Sequence, residues 1–414
     1  MIESLFRSAL VRRRMIVSHL GIIIQDFVLH LHSQGHVLTC IQAYEQAVEH
    51  FSRWLESQKV EIASISDSTV DRFLRFHLPR CHCPRPATTN LKTCRAALRS
   101  LMIFMRQKSL IQPSPIAKVS HIDQIVNDYD QHLRVSGGLA PNTRLYLRRY
   151  AREFLKNRGR KDLRRLTPKD IMGYIQSRAP GLKPASLRVM ARALRSFLRF
   201  LNLKDYICHH IISAVPTPAP WPRSLPPEIL NEDQLRAFLK SFIRTTPTGR
   251  RDFAMAQCFY HLGLRTSEVA AIRIEDIDWN NNLLRVATSK QRKERLIPLP
   301  NQVSSALLDY VTRGRPVTKA PTLFVRHRAP FGSSVDVHHV RSAMRRAFTR
   351  AGIPSSKIHL LRHTFATRLH RRGIDLKSIA DFLGHQSLNT TAGYARVNIQ
   401  ELRTASLPWP EEKP

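Results

Sequence analysis

His359-Leu360-Leu361-Arg362-His363-Thr364, followed downstream by Leu383-Gly384-His385 and then Tyr394, is the stretch that decides the fold. His359 and Arg362 stand three apart, so on a helix they share a face. Leu361, Phe365 and Leu369 follow a four-residue step, a second stripe for burial that leaves the polar face free. Gly373 can end that helix. Leu376, Ile379, Ala380 and Leu383 then spell a short amphipathic helix, with Asp375 as its N-cap and Gly384 just past its end. His385 therefore leaves a fixed helix terminus, and Tyr394 follows nine residues later on a further short segment. Two histidines, an arginine and a tyrosine on one helical frame point to phosphate chemistry with a tyrosine nucleophile.

Two upstream stretches belong with it. Gly263-Leu-Arg265-Thr-Ser-Glu268-Val places an arginine at a helix junction. Thr288-Ser-Lys290-Gln-Arg-Lys-Glu-Arg-Leu-Ile-Pro-Leu reads as a basic turn between two short strands, Leu284-Arg-Val286-Ala and Arg295-Leu-Ile297-Pro-Leu299. Together with His359-Leu-Leu-Arg362-His-Thr-Phe-Ala-Thr and Thr390-Thr-Ala-Gly-Tyr394, these stretches resemble the tyrosine recombinases, the phage integrase family. The resemblance covers about residues 228 to 400. It departs at Leu360, where the family often has an acidic residue.

The resemblance implies a mainly α fold with a small β-sheet, in which helical SAM-like core-binding domains precede a mixed α/β catalytic domain. It also implies a catalytic set: Arg265, Lys290, His359, Arg362, His385 and the nucleophile Tyr394. Arginine suits a phosphodiester whose charge grows in the transition state, because its planar fork donates two hydrogen bonds and never deprotonates. Arg265 and Arg362 would clamp the non-bridging oxygens, each worth about 3–4 kcal/mol by analogy with oxyanion-hole donors. Tyr394 would attack phosphorus, displace the 5′ hydroxyl and leave a 3′-phosphotyrosine that a second hydroxyl reverses without ATP or metal. Lys290 would protonate the leaving oxygen, although Arg292 and Lys293 share its turn. His359 would take or relay the tyrosine proton, His385 would donate to a phosphate oxygen, and Glu268 would orient Arg265. No cofactor and no metal is called for. Tyr310, the rival nucleophile, lies on an apolar helix face with no histidine nearby in sequence.

Composition agrees with a polyanionic partner. The 414 residues suggest two or three domains, and Lys+Arg 66 against Asp+Glu 31 leaves +35. The basic residues are spread along the chain rather than grouped beside an anchor, so double-stranded DNA is the better reading than a membrane surface. Residues 15 to 31 are apolar but interrupted by His19, Gln25, Asp26 and His30, too polar to span a bilayer. Six cysteines without framework spacing suit a reducing cytoplasm, here on the nucleoid. His77, Cys81, His82, Cys83 and Cys94 invite a zinc reading, but Cys-His-Cys is tighter than the usual Cys-x₂₋₄-Cys knuckle and Pro84 follows at once. The segment is read as a polar loop with stray thiols.

Along the chain, residues 1–118 read as an N-terminal helical module. Its apolar faces are Ala43/Ala47/Val48/Phe51/Leu55, Val70/Phe73/Leu74 after a Ser66-Asp67-Ser68 cap, and Leu98/Leu101/Met102/Met105. Residues 119–212 repeat the plan with Leu147/Tyr150/Phe154/Leu155, a Thr167-Pro168 helix start, and Leu194/Phe197/Leu198/Leu201. Ala97-Leu-Arg-Ser100 recurs as Ala193-Leu-Arg-Ser196, which suggests a duplicated DNA-binding arm. The Pro-rich stretch 213–227 is a linker. Residues 228–414 are the catalytic domain and tail, opening with a capping box at Asn231-Glu-Asp-Gln234.

The expected function is a site-specific recombinase of a mobile element, an integrase or transposase. It would act as a homo-tetramer on paired DNA sites, with or without other recombinases beside it. A housekeeping recombinase that resolves chromosome dimers, a type IB topoisomerase, and a non-cleaving DNA-binding regulator are the alternatives. The filled catalytic set argues against the last.

Overall fold

Helix boundaries follow the caps written into the sequence. The computed structural model describes residues 17–83, 88–113, 120–159, 162–217, 228–287, 294–354, 357–384 and 391. They fall into two compact units, residues 1–113 with 224–414, and residues 114–223.

In the N-terminal segment, α1 (Gly21–Ser33), α2 (Leu38–Ser57), α3 (Asp67–Arg72) and α4 (Leu91–Gln107) enclose one apolar cluster running from Leu20 to Ile111. Ser66 caps α3 by accepting from the Thr69 N–H. Asn90 caps α4 through the Lys92 and Thr93 N–H groups. The expected apolar face of α2 is buried at Ala47, Val48, Phe51 and Leu55, but Glu45, Glu49 and His50 are buried as well. This helix is enclosed on nearly every side, because α1, α4 and the residues after α3 all pack on it.

The second unit holds α5 (His121–Val135), α6 (Pro141–Arg158), α7 (Pro168–Arg178), α8 (Pro184–Leu203) and the short α9 (His210–Ser213). Thr167 caps α7 in a reciprocal box with Asp170, with Pro168 at the first helical position. Its plan matches the N-terminal segment ring by ring. In both, the second helix packs on the first and the fourth. Phe51 meets Phe73 edge-on at 5.1 Å, and Phe154 meets Tyr174 edge-on at 5.2 Å. Phe27 and His30 meet Phe104 at 5.7 and 5.0 Å, while Tyr129 and His132 meet Phe200 at 5.2 and 5.5 Å. A 3₁₀ turn precedes the third helix in each, at Ile62–Ser64 and at Leu163–Arg165.

The C-terminal segment is built around α11 (Pro247–Leu262), which follows α10 (Glu232–Lys240). The helix α11 is buried from Arg251 to Leu262 on nearly every face. Around it stand α12 (Thr266–Ala271), α13 (Asn301–Arg313), α14 (Val337–Arg350) and α15 (His359–Arg371). The sheet is β1 (Ile277–Asp278), β2 (Leu283–Ala287) and β3 (Glu294–Pro298), antiparallel in that order. The sequence pattern anticipates β2 and β3 but not the two-residue β1, which is too short to show alternation. Leu284, paired with Ile297, and Val286, paired with Arg295, turn their side chains to the core. The last described helix is α16 (Leu376–Leu383), capped by Asp375. No described helix is long and apolar enough to cross a membrane.

Candidate active site

Two glycine-ended helices hold the arginines. Gly263 ends α11 in the left-handed region at φ 57°, and a Cβ there would lie 2.5 Å from Phe365 Cδ1. The chain can therefore reverse into α12, with Arg265 as its N-cap residue. The Arg265 backbone N–H donates to Glu268 Oε2 at 2.8 Å, and its Nη1 donates to Glu268 Oε1 at 2.8 Å. Its Nη2 donates to the Gly384 carbonyl at 2.7 Å. Glu268 is buried, and Arg295 from β3 donates both Nη groups to it at 3.2 and 3.0 Å. Burial pushes the Glu268 carboxyl up. The hydrogen bonds and charge of Arg295, with those of Arg265, outweigh it and hold the pKa below its ordinary value. Glu268 is thus an anion shared by two guanidinium groups, and it fixes the orientation of Arg265.

Arg362 departs from the sequence expectation. It was expected on a free polar face beside His359, yet it is only 4% exposed. Helix α15 is surrounded, with Leu360, Leu361, Thr364, Ala366 and Thr367 buried as well, whereas Phe365 and Leu369 of the expected apolar stripe are half-buried. The guanidinium is turned onto helix-end carbonyls instead. Nη1 donates to Gly263 O at 2.6 Å and Nη2 to Leu383 O at 2.8 Å. These are orphan acceptors at the C-termini of α11 and α16, where a helix favours a cation.

His359 opens α15 with its side chain toward solvent. Its pKa lies below the ordinary value, first through partial desolvation and then through the charges of Arg362, Arg341 and Arg265. The ring is therefore mainly neutral at pH 7 and able to accept a proton. Arg341, on α14, is a member of this cationic group that sequence reasoning missed. Nothing local distinguishes it from Arg345, Arg346 and Arg350 on the same helix. Arg295 was likewise missed, being read only as a strand residue. Arg341→Gln removes a cation that disfavours protonated His359, so the His359 pKa rises. The acid limb of the DNA-cleavage rate is expected to move to higher pH. A single-turnover pH profile that keeps the wild-type acid limb would remove Arg341 from this role.

Lys290, His385 and Tyr394 lie outside the described residues. The register that pairs Ala287 with Glu294 brackets the connection 288–293, to which Lys290 belongs. Gly384, the residue before His385, ends α16 in the left-handed region at φ 63°. A Cβ on it would meet Arg295 Nη1 at 2.8 Å, so this close approach also calls for glycine. The tyrosine set aside on sequence grounds does have a histidine beside it. Tyr310 Oη lies 3.3 Å from His327 Nε2, a neighbour 17 positions away that its own helix could not reveal. Tyr310 is fully buried, and burial pushes its phenol pKa up, so it is a core residue and not a nucleophile.

The chain is similar to known proteins. Residues 228–401 match the phage integrase family, and residues 126–204 match the phage integrase N-terminal SAM-like domain. The chain is 33% identical over 95% of its length to a protein of Sinorhizobium fredii named integrase/recombinase y4rA, of which 95% is covered. It is 29% identical to the tyrosine recombinase XerA of Thermococcus kodakarensis, over 69% of this chain and 95% of that one. Among solved structures, a lambda integrase dimer bound to a COC′ core site superposes with a TM-score of 0.51 at 18% identity, covering 64% of this chain and 96% of that one. A Tn1549 transposon integrase in complex with DNA gives 0.50 at 20% identity, covering 67% and 99%. At that identity these two superpositions establish the fold. With a relative one-third identical along nearly its whole length and both family domains in order, the chain belongs to the phage integrase family of tyrosine recombinases, enzymes that break and rejoin DNA strands.

Proposed function

We propose that the chain is the site-specific recombinase of a mobile element, cutting and rejoining duplex DNA through a 3′-phosphotyrosine on Tyr394. The observation that carries this reading is the anchoring of Arg265 and Arg362 on the end of α16, with His359 on the first turn of α15, partly desolvated and near enough for both charges to lower its pKa. Each guanidinium is oriented before DNA arrives, which is what stabilising a charge that grows in the transition state requires. The phosphate sits against Arg265 and Arg362. Tyr394 attacks phosphorus and passes its proton to His359. Lys290 gives a proton to the departing 5′ oxygen, and His385 donates to a phosphate oxygen. The second strand reverses the step, so the phosphodiester count is unchanged.

The mobile-element assignment rests on the full-length relative named integrase/recombinase, whereas the Xer relative matches only 69% of the chain. The neighbours solved as DNA complexes support duplex DNA as the partner, and four protomers on two sites is the assembly that the family mechanism implies. The matching ring-and-cap plan of residues 17–113 and 120–217 supports a duplicated helical arm, the first copy adding phosphate contacts to those of the second.

The experiment is a suicide substrate nicked beside the cleavage point, on which the wild-type chain accumulates a denaturant-resistant adduct. No adduct on the element's own ends overturns the reading. On a substrate whose leaving oxygen is replaced by sulfur, Lys290→Ala is expected to recover most of its lost rate, because a thiolate leaves without a proton. Arg265→Ala is expected to stay slow on both substrates. Equal rescue would mean that these two roles are exchanged or shared.

A further inference from the structure

The N-terminal segment gathers four soft or borderline ligands that its sequence scatters. His50 lies on α2. His77 closes a five-residue π-helical turn, Phe73–His77, that continues α3, and Cys81 and Cys83 follow on the loop beyond it. One ligand atom from each lies within 4.8 Å of all the others. His50 Nε2 is 3.2 Å from His77 Nε2 and 3.1 Å from Cys81 Sγ, and Cys83 Sγ is 3.5 Å from His77 Nε2. Tetrahedral zinc, with Zn–N near 2.0–2.1 Å and Zn–S near 2.3 Å, keeps two nitrogens about 3.3 Å apart and a nitrogen and a sulfur about 3.5 Å apart. The His50–His77 and His77–Cys83 pairs stand at those spacings, and the His50–Cys81 pair is slightly closer.

The groups around the cluster also prepare it for a cation. His50 Nδ1 lies 3.1 Å from the Thr88 carbonyl oxygen. A carbonyl only accepts, so Nδ1 carries the ring proton and Nε2 presents its lone pair to the cluster. The Cys83 backbone N–H donates to Cys81 Sγ at 3.3 Å, a bond that fixes where this sulfur stands. His50 is fully buried, and the other three are half-buried. The second helical unit shows what these positions do otherwise. Glu153 and Arg178 stand where His50 and His77 stand, just before the matching Phe154 and at the end of the third helix, and they form an ion pair. The second unit has no counterpart to Cys81 and Cys83, because its third helix runs on to α8 through a shorter connection.

We propose that His50, His77, Cys81 and Cys83 form a closed structural zinc site that pins the loop after α3 to α2. Four protein ligands leave no open position, and an S₂N₂ set selects zinc over magnesium or calcium. On binding, the two thiols release their protons to solvent and the histidines bind as neutral rings. The spacing argument that dismisses the Cys-His-Cys stretch fails because the fourth ligand, His50, comes from 27 positions upstream of His77.

The test uses the full, untagged chain. Purified protein is expected to hold about one zinc per chain by elemental analysis. Exchange for cobalt is expected to give the ligand-field bands of a tetrahedral site and a thiolate charge-transfer band. Cys81→Ser or Cys83→Ser should reduce that charge-transfer band to roughly half, as one of the two thiolate ligands is lost. The double variant should lose the metal, while Cys208→Ser keeps it. Should the cysteine variants fail to fold, the zinc content and cobalt spectrum of the wild-type chain still decide. A folded wild-type chain without stoichiometric zinc and without a tetrahedral cobalt spectrum overturns the site, as does a folded double variant that retains its zinc.

Discussion

Tyr394→Phe abolishes the denaturant-resistant adduct on a nicked suicide substrate while leaving DNA affinity almost unchanged. The phenol hydroxyl contributes at most one hydrogen bond to binding, a net effect of about 1 kcal/mol. Many phosphate contacts across a chain carrying +35 supply the rest. The covalent step, by contrast, depends on the phenol hydroxyl itself, and the rival Tyr310 is sealed in the core. The measurement pairs a gel assay for the adduct with a binding isotherm at fixed salt. An adduct that persists in the variant would remove Tyr394 as nucleophile, and a collapse of affinity would mean that Tyr394 shapes the site rather than reacts in it.

Arg362→Ala carries the second large effect, and it strikes twice. Losing a preorganised donor to the developing charge costs about 10²–10³ in rate by comparison with oxyanion-hole deletions. It also strips a donor from the carbonyls of Gly263 and Leu383, both held by this guanidinium. Each buried carbonyl left unsatisfied costs about 1–3 kcal/mol of stability. Arg362→Lys keeps the charge, but one ammonium cannot span two carbonyls with a rigid fork, so it should recover only part of either loss. Single-turnover cleavage and urea melts on both variants separate the two effects. A slow Arg362→Ala enzyme whose melt matches wild type would show that the carbonyl anchors contribute nothing to folding.

The helical frame that carries His359 and Arg362 was legible because its signals are local. The cap at Asp375 and the glycine stops at Gly373 and Gly384, like the caps at Asn231 and Thr167 elsewhere, act over three or four residues, and the chain writes them next to one another. What escaped depends on contacts across long separations. The burial of Arg362 follows from carbonyls 99 and 21 positions away, and periodicity on α15 cannot report them. Arg341 and Arg295 joined the site for the same reason. The repeat shows in sequence as four identical residues, Ala97–Ser100 and Ala193–Ser196, because the shared structure lies in ring contacts that tolerate exchange of Phe for Tyr. A polar pair exchanged from His50–His77 to Glu153–Arg178 is further still from any identity count.

The end of α16 supplies an acceptor to each arginine, Leu383 O to Arg362 and Gly384 O to Arg265. An eight-residue helix is too short to persist by itself and lasts only while docked, here through Ile379, Ala380 and Leu383. Undocking it would therefore take one anchor from each guanidinium in a single opening event, leaving Arg265 on Glu268 and Arg362 on the Gly263 carbonyl. In an enzyme that breaks and rejoins DNA strands, such coupling acts as a safety catch: whatever steadies or loosens this one helix end bears on both arginines at once.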